Sequence, residues 1–204
     1  MNVQQLIRKI HIYSGFALFL PLFLFAASGF MLNHRWKPWD NFQERTEIEK
    51  EVQVSIPVNG SGLDRAKAIL ESLKFDGEIN ILTYEPEKDR IVIRTHRPGQ
   101  FSEVSLSLAT GKGMQKITNL NIWSIFNNMH TFTGLHSNIP EKKNWMWTKV
   151  WSLIMDATAF AMIILLATGF YMWNGLKSDR RWGLLILELS SVIIILIIWI
   201  VSRF

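Results

Sequence analysis

Residues 10–33, IHIYSGFALFLPLFLFAASGFMLN, contain no Asp, Glu, Lys or Arg. A bilayer's hydrocarbon core is about 30 Å thick and a helix rises about 1.5 Å per residue, so a run of this length and composition crosses it. Pro21 lies inside the run, and membrane helices tolerate such a break in the ladder. The pattern returns twice near the other end of the chain. Residues 150–173 are interrupted only by Asp156, and residues 182–201 only by Glu188 near their start. Indole rings favour the headgroup level, and tryptophans mark these ends. Trp36 and Trp39 follow the first run, while Trp145, Trp147 and Trp151 open the second. Trp173 and Trp182 bracket the short link, and Trp199 closes the third.

The expected fold class is therefore membrane α-helical, with three transmembrane helices and a small α+β domain inserted between the first and second. The expected organisation is transmembrane helix 1 over 10–34, the domain over 35–120, an amphipathic segment lying at the membrane surface over 121–146, transmembrane helix 2 over 147–174 and transmembrane helix 3 over 182–202. Arg8 and Lys9 precede the first span, and Lys177, Arg180 and Arg181 fill the link between the second and third. Those two places share one face, which the positive-inside rule makes cytoplasmic. The expectation is an N-terminus inside and the domain outside, in a bacterial inner membrane. A cleavable signal peptide is the competing reading of the first run. Its apolar stretch is longer than a signal core and continues through Leu32, which argues for retention.

Composition narrows the function classes. Of 204 residues, 49% are hydrophobic, and they concentrate in the three runs. With no cysteine, disulfide scaffolds, thiolate zinc sites, Cys-ligated clusters and CxxCH haem attachment are excluded. The net charge of +5 forms no basic stripe with interleaved aromatics, so no nucleic-acid partner is expected. No Gly-rich dinucleotide fingerprint occurs, so no NAD(P) or flavin site is expected in this chain.

In the domain, Ser61-Gly62-Leu63-Asp64 fits a capping box with Asp64 in place of the usual Glu. Leu63, Ala66, Ile69, Leu70 and Leu73 continue at helical spacing through about Lys74. Three strands are expected at 78–85, 90–96 and 101–109, separated by Pro86-Glu87-Lys88-Asp89 and Pro98-Gly99 and ended by Thr110-Gly111-Lys112-Gly113. Such a module is too small to hold a deep active site. The stretch NIWSIFNNMHTF at 121–132 is too polar to span and fits an interfacial helix.

Histidine placement is the unusual feature. His11 lies at the inner end of the first span and His34 closes its outer end. They are 23 positions apart, roughly 34 Å along a helix, so they cannot share one metal. His130 and His136 precede the second span on the outer side. A haem b held without thioethers takes an imidazole on one or both faces. His34 with His130, or with His136 in its place, supplies an outer pair. At the inner end His11 has no second histidine, so Met172 or a second chain's His11 completes that site. The ordinary reading of such residues is an interfacial polar group. Asp156, about six residues into the second span, pairs with an outer histidine or Lys149, carries a proton, or hydrogen-bonds across the bundle. Glu188 answers Arg180 or Arg181. Gly15, Ser28-Gly29 and Thr168-Gly169 let helices, or a flat ring, approach closely. His96, at a strand end, receives no functional reading.

The order of these features resembles the PepSY-associated transmembrane family. Arg8-Lys9-Ile10-His11 with Gly15, then Ala27-Ser28-Gly29, is similar to its opening helix, and Met129-His130 to its Leu-His segment. Asp156 followed by Ala167-Thr168-Gly169-Phe170-Tyr171-Met172-Trp173 resembles its Asp…Thr-Gly-x-x-x-Trp span, and the domain a PepSY module. The chain resembles a compact three-span member, shorter than the four-span forms. The resemblance implies two functions. One is an inner-membrane reductase that binds haem b through His11 and His130, with His34 as an outer partner. It passes electrons from a membrane donor such as quinol to ferric iron or a ferric siderophore outside. The other is a membrane-anchored PepSY interaction module, a peptidase modulator or accessory subunit without redox chemistry, working alone or in a homo- or hetero-oligomer. The histidine census favours the first. In the second, a partner binds through an exposed edge strand.

Overall fold

The computed structural model describes residues 2–33, 44–57, 59–133, 138–175 and 180–203. Three helices are long and apolar enough to cross a membrane: α1 (Val3–Asn33), α4 (Met146–Gly175) and α5 (Arg180–Val201). Between α1 and α4 lie β1 (Arg45–Gln53), α2 (Gly62–Ser72), β2 (Glu78–Glu85), β3 (Arg90–Arg97), β4 (Gln100–Ser107), β5 (Lys112–Leu120) and α3 (Ile122–Thr131). The chain divides into two compact units, residues 21–157 and residues 1–20 with 158–204.

In the first unit the strands form one antiparallel sheet in the order β1-β5-β4-β3-β2. The capping box at the start of α2 is present. Ser61 Oγ accepts from Asp64 N at 3.2 Å, and Asp64 Oδ2 accepts from Ser61 N at 3.1 Å. The Ser61 hydroxyl, which donates to Asp64 Oδ2 at 2.7 Å, and then the Ser61 N–H hold the Asp64 carboxyl below the usual range. Helical spacing then puts Ala66, Ile69 and Leu70 on one stripe, which forms a single core with Ile79, Ile91, Ile93, Val104 and Leu106. Fully burying one such side chain stabilises by about 1.5–3 kcal/mol. On the opposite face the register sets Arg94, Glu103, Lys116 and Glu49 in one row across four strands. Arg94 meets Glu103 at 2.7 Å, and Lys116 meets Glu47 at 2.7 Å and Glu49 at 3.5 Å. These pairs are exposed, so each adds little.

Two strands depart from the sequence expectation. β1 is an edge strand exposed along almost its whole length, and its sequence RTEIEKEVQ is too charged to announce a strand. The Thr110–Gly113 stretch does not end the sheet but turns the chain into β5, and two glycines make that possible. Gly111 has φ +65°, and a Cβ there would lie 2.0 Å from the Val54 carbonyl oxygen; one on Gly113 would lie 1.9 Å from that of Ser105.

Residues 138–145 bond to the free edge of β2. Asn138 Oδ1 accepts from Leu82 N at 2.9 Å and Asn138 Nδ2 donates to Leu82 O at 3.2 Å. Asn144 Oδ1 accepts from Ile79 N at 3.1 Å and Asn144 Nδ2 donates to Ile79 O at 2.9 Å. Each side-chain amide stands in for a peptide of a sixth strand, which satisfies edge groups that otherwise invite association. The core is closed on this side by Ile139, which is 7% exposed.

In the second unit the N-terminal part of α1, the C-terminal part of α4 and α5 pack together. α5 has no buried residue, and Phe16 and Phe19 of α1 are exposed, as expected of helices whose solvent is lipid. Arg180, expected to face Glu188, donates to the Asn174 carbonyl.

Candidate functional site

α1 presents His11 to α4 in the second unit. The chemistry of the contact is set by Thr168, whose hydroxyl lies 2.7 Å from the Ile164 carbonyl and 3.1 Å from that of Leu165, the bonding back along the helix typical of Thr. His11 Nδ1 lies 3.0 Å from Thr168 Oγ1. Next to Thr168, Gly169 offers bare backbone to the ring, and a Cβ there would come within 3.3 Å of His11 Cε1. The missing side chain lets the imidazole lie close against α4 without displacement.

This imidazole lines an apolar slot of about 700 Å³, a size that suits a cofactor or ligand. Leu165, Leu166, Phe170 and Trp173 of α4 form one wall, and Gly183, Ile186, Leu187 and Ser190 of α5 another. Ser190 Oγ donates to the Leu187 carbonyl at 3.0 Å. α5 approaches because Gly183 rests on the Trp173 indole, where a Cβ would fall 2.5 Å from the ring. Gly15 is less constrained, since a Cβ there would meet Leu165 at an ordinary 3.6 Å.

His34 and His136 lie outside the described residues. His130 is in the last turn of α3, and its side chain lies outside them too. Met172, considered as a second ligand for His11, is half-buried one turn beyond Thr168 and is not among the residues lining the slot. Asp156 is exposed on α4 and, among the described residues, forms no ion pair with Lys149.

His96 is more involved in its surroundings than a strand-end residue suggests. It stacks on Phe101 with ring centroids 4.5 Å apart and meets Phe132 edge-on at 5.1 Å. Its Nε2 is buried with no hydrogen-bond partner among the described residues, and burial pushes its pKa down to about 4. Glu78, which sequence reasoning passes over, is fully buried. Its Oε1 accepts from Asn144 N and Nδ2 at 2.9 and 3.1 Å, and its Oε2 from Trp145 N at 2.9 Å. Thr168 and Gly169 are legible in the sequence only as small residues near a span end. What identifies them is their pairing with a histidine 157 positions away.

The family model described as PepSY_TM-like matches residues 3–202. Neither the curated proteins nor the solved structures give a match.

Proposed function

We propose that this chain, which belongs to the PepSY_TM-like family, is a b-type haem redox protein of the bacterial inner membrane. It passes electrons from a membrane donor such as quinol to ferric iron or a ferric chelate on the outer side. The observation that carries the reading is a membrane-embedded imidazole on the wall of an apolar slot, with a glycine clearing space beside it. That donor set fits haem on one face. Haem b, when bound, supplies one-electron chemistry, and the protein supplies ligation, orientation and dielectric.

Each residue then has a defined task. His11 ligates from α1. Leu165, Leu166, Phe170 and Trp173 exclude water, which favours the less charged redox state. Met172 or the His11 of a second chain would complete the ligand set at this end. His34 with His130, or His136 in its place, forms the outer pair. Arg8 and Lys9 keep the N-terminus in the cytoplasm, which puts the PepSY domain outside, where it shapes access for iron.

The second reading, an interaction module without redox chemistry, is favoured by β1. Its outer edge has no strand partner among the described residues, which suits addition of a strand from another protein. An optical spectrum of the full chain, purified with ample haem, separates the two. The haem reading expects a Soret band and sharp α and β bands on reduction with dithionite, diminished in His11→Ala. A colourless protein overturns it and leaves the module.

A further inference from the structure

The imidazole of His11 has two nitrogens, and which one carries the proton decides what the slot can bind. Thr168 has one hydroxyl hydrogen. At 2.7 Å from the Ile164 carbonyl and 3.1 Å from the Leu165 carbonyl, that hydrogen is engaged by the helix backbone. The lone pairs of Thr168 Oγ1 remain, and they accept. His11 Nδ1, at 3.0 Å, is then the donor.

The opposite assignment is costly. With the proton on Nε2, an N–H group would sit on an apolar slot, and His11 has no other ring hydrogen bond among the described residues. A donor desolvated without a partner costs about 1–3 kcal/mol. With the proton on Nδ1 the donor is satisfied and only a lone pair remains on Nε2. An unprotonated nitrogen is what ligates a metal, and a partner on the other ring nitrogen holds the tautomer and orientation of metal-bound histidines.

We propose that Thr168 is the positioning residue for His11, accepting the Nδ1 proton so that Nε2 is the unprotonated, ligating nitrogen presented to the slot. Gly169 completes the arrangement, because a Cβ there would come within 3.3 Å of His11 Cε1 and press the ring away from this position. The pairing spans α1 and α4, so it also fixes the register of one span on the other at this depth. The tautomer stands on the hydrogen bonds alone; its consequence for ligation rests on the haem reading above.

Nitrogen NMR reads the ring directly. In the full chain prepared without haem in lipid nanodiscs, long-range proton–nitrogen spectra with labelled histidine, assigned by His11→Gln, distinguish a protonated from an unprotonated ring nitrogen. Wild type is expected to show Nδ1 protonated and Nε2 unprotonated. Thr168→Val, which matches threonine in shape but cannot accept, loses this preference, and Thr168→Ser restores it. In haem-loaded protein, Thr168→Val retains haem roughly 10–100-fold more weakly, and Thr168→Ser binds like wild type. A wild-type ring protonated at Nε2, or a tautomer unchanged in Thr168→Val, overturns the proposal. Wild type that never takes up haem but shows the Thr168-dependent tautomer overturns the haem reading alone.

Discussion

The carboxylate of Glu78, at the start of β2, accepts the backbone N–H of Trp145, the residue that precedes α4, at 2.9 Å. Two further N–H groups, both from Asn144, converge on the same carboxylate. Charge-assisted bonds of this kind are stronger than neutral ones, and a carboxylate at a helix N-terminus also complements the dipole. The sheet is thereby joined to the first turn of a spanning helix through a fully buried acid. Replacing it leaves the backbone N–H groups of Asn144 and Trp145 without this acceptor, while Asn144 Nδ2 keeps the Ile79 carbonyl. Glu78→Ala is expected to destabilise the domain by about 3 kcal/mol, while the exposed Glu103→Ala stays within about 0.5 kcal/mol. Hydrogen exchange of the β2 amides in the full chain measures both. Equal effects would remove Glu78 from this role.

Acid sensitivity follows from His96. Burial lowers its pKa from the ordinary 6.5 to about 4, so between those values the unfolded chain binds a proton that the folded chain refuses. Stability is therefore unaffected above pH 6.5 and falls as pH drops toward 4. Each tenfold change in proton affinity is worth about 1.4 kcal/mol, and with the ring's partial exposure discounted the loss is on the order of 2 kcal/mol. Asp89 adds to it in the same direction. Its carboxyl is held low first by the Ser107 hydroxyl and then by the Ala109 N–H, and that contribution disappears as the carboxyl protonates. His96→Phe keeps the stacking on Phe101 and removes the orphaned Nε2. Thermal melts at pH 7, 6, 5 and 4 are expected to show a shallower slope in this variant. An unchanged slope would assign the acid sensitivity elsewhere.

Sequence alone carries the three spans because length and apolarity are the whole physical requirement for crossing a bilayer. It carries α2 through a cap and a stripe, and β2 and β3 through β-branched runs bounded by turn residues. It fails at β1, where Glu47, Glu49 and Glu51 alternate with Thr46, Ile48 and Lys50. An edge strand takes its pairing from β5 and keeps its charges in water, so composition does not reveal it. The Asn138 and Asn144 clasp is equally silent, since an asparagine in a loop looks the same whether or not it caps a sheet edge. At the site, His11 is legible from its position. Its dependence on Thr168 is not, because that contact is made by two helices far apart in sequence.

Two glycines facing the same neighbourhood are expected to behave oppositely. At Gly183 a Cβ would fall 2.5 Å from the Trp173 ring, and a packed indole between two helices has little room to yield. Gly183→Ala is expected to displace α5 or turn the ring, narrowing the slot and, on the haem reading proposed above, lowering haem retained per chain. At Gly15 the nearest atom is 3.6 Å away, so Gly15→Ala fits and gains helix propensity, worth up to about 1 kcal/mol. It should melt at the same temperature as wild type or higher, with haem unchanged. Haem stoichiometry and melting of the two variants in parallel give the comparison, and loss of haem in Gly15→Ala would place the haem somewhere other than this slot.

Distance argues for two independent redox centres if the haem reading holds. His11 and His34 are 23 positions apart, and a helix over that interval is roughly 34 Å long, beyond any shared coordination. Their substitutions should therefore subtract different signals. A potentiometric titration of wild type is expected to resolve two waves. His11→Ala removes one, and His34→Ala and His130→Ala each remove the other, so that His11→Ala combined with His34→Ala removes both. Because the His11 slot is apolar, its centre should favour the reduced, less charged state. If His11→Ala and His34→Ala instead abolish the same wave, the chain holds a single centre. One of the two substitutions then acts on that centre through packing rather than ligation.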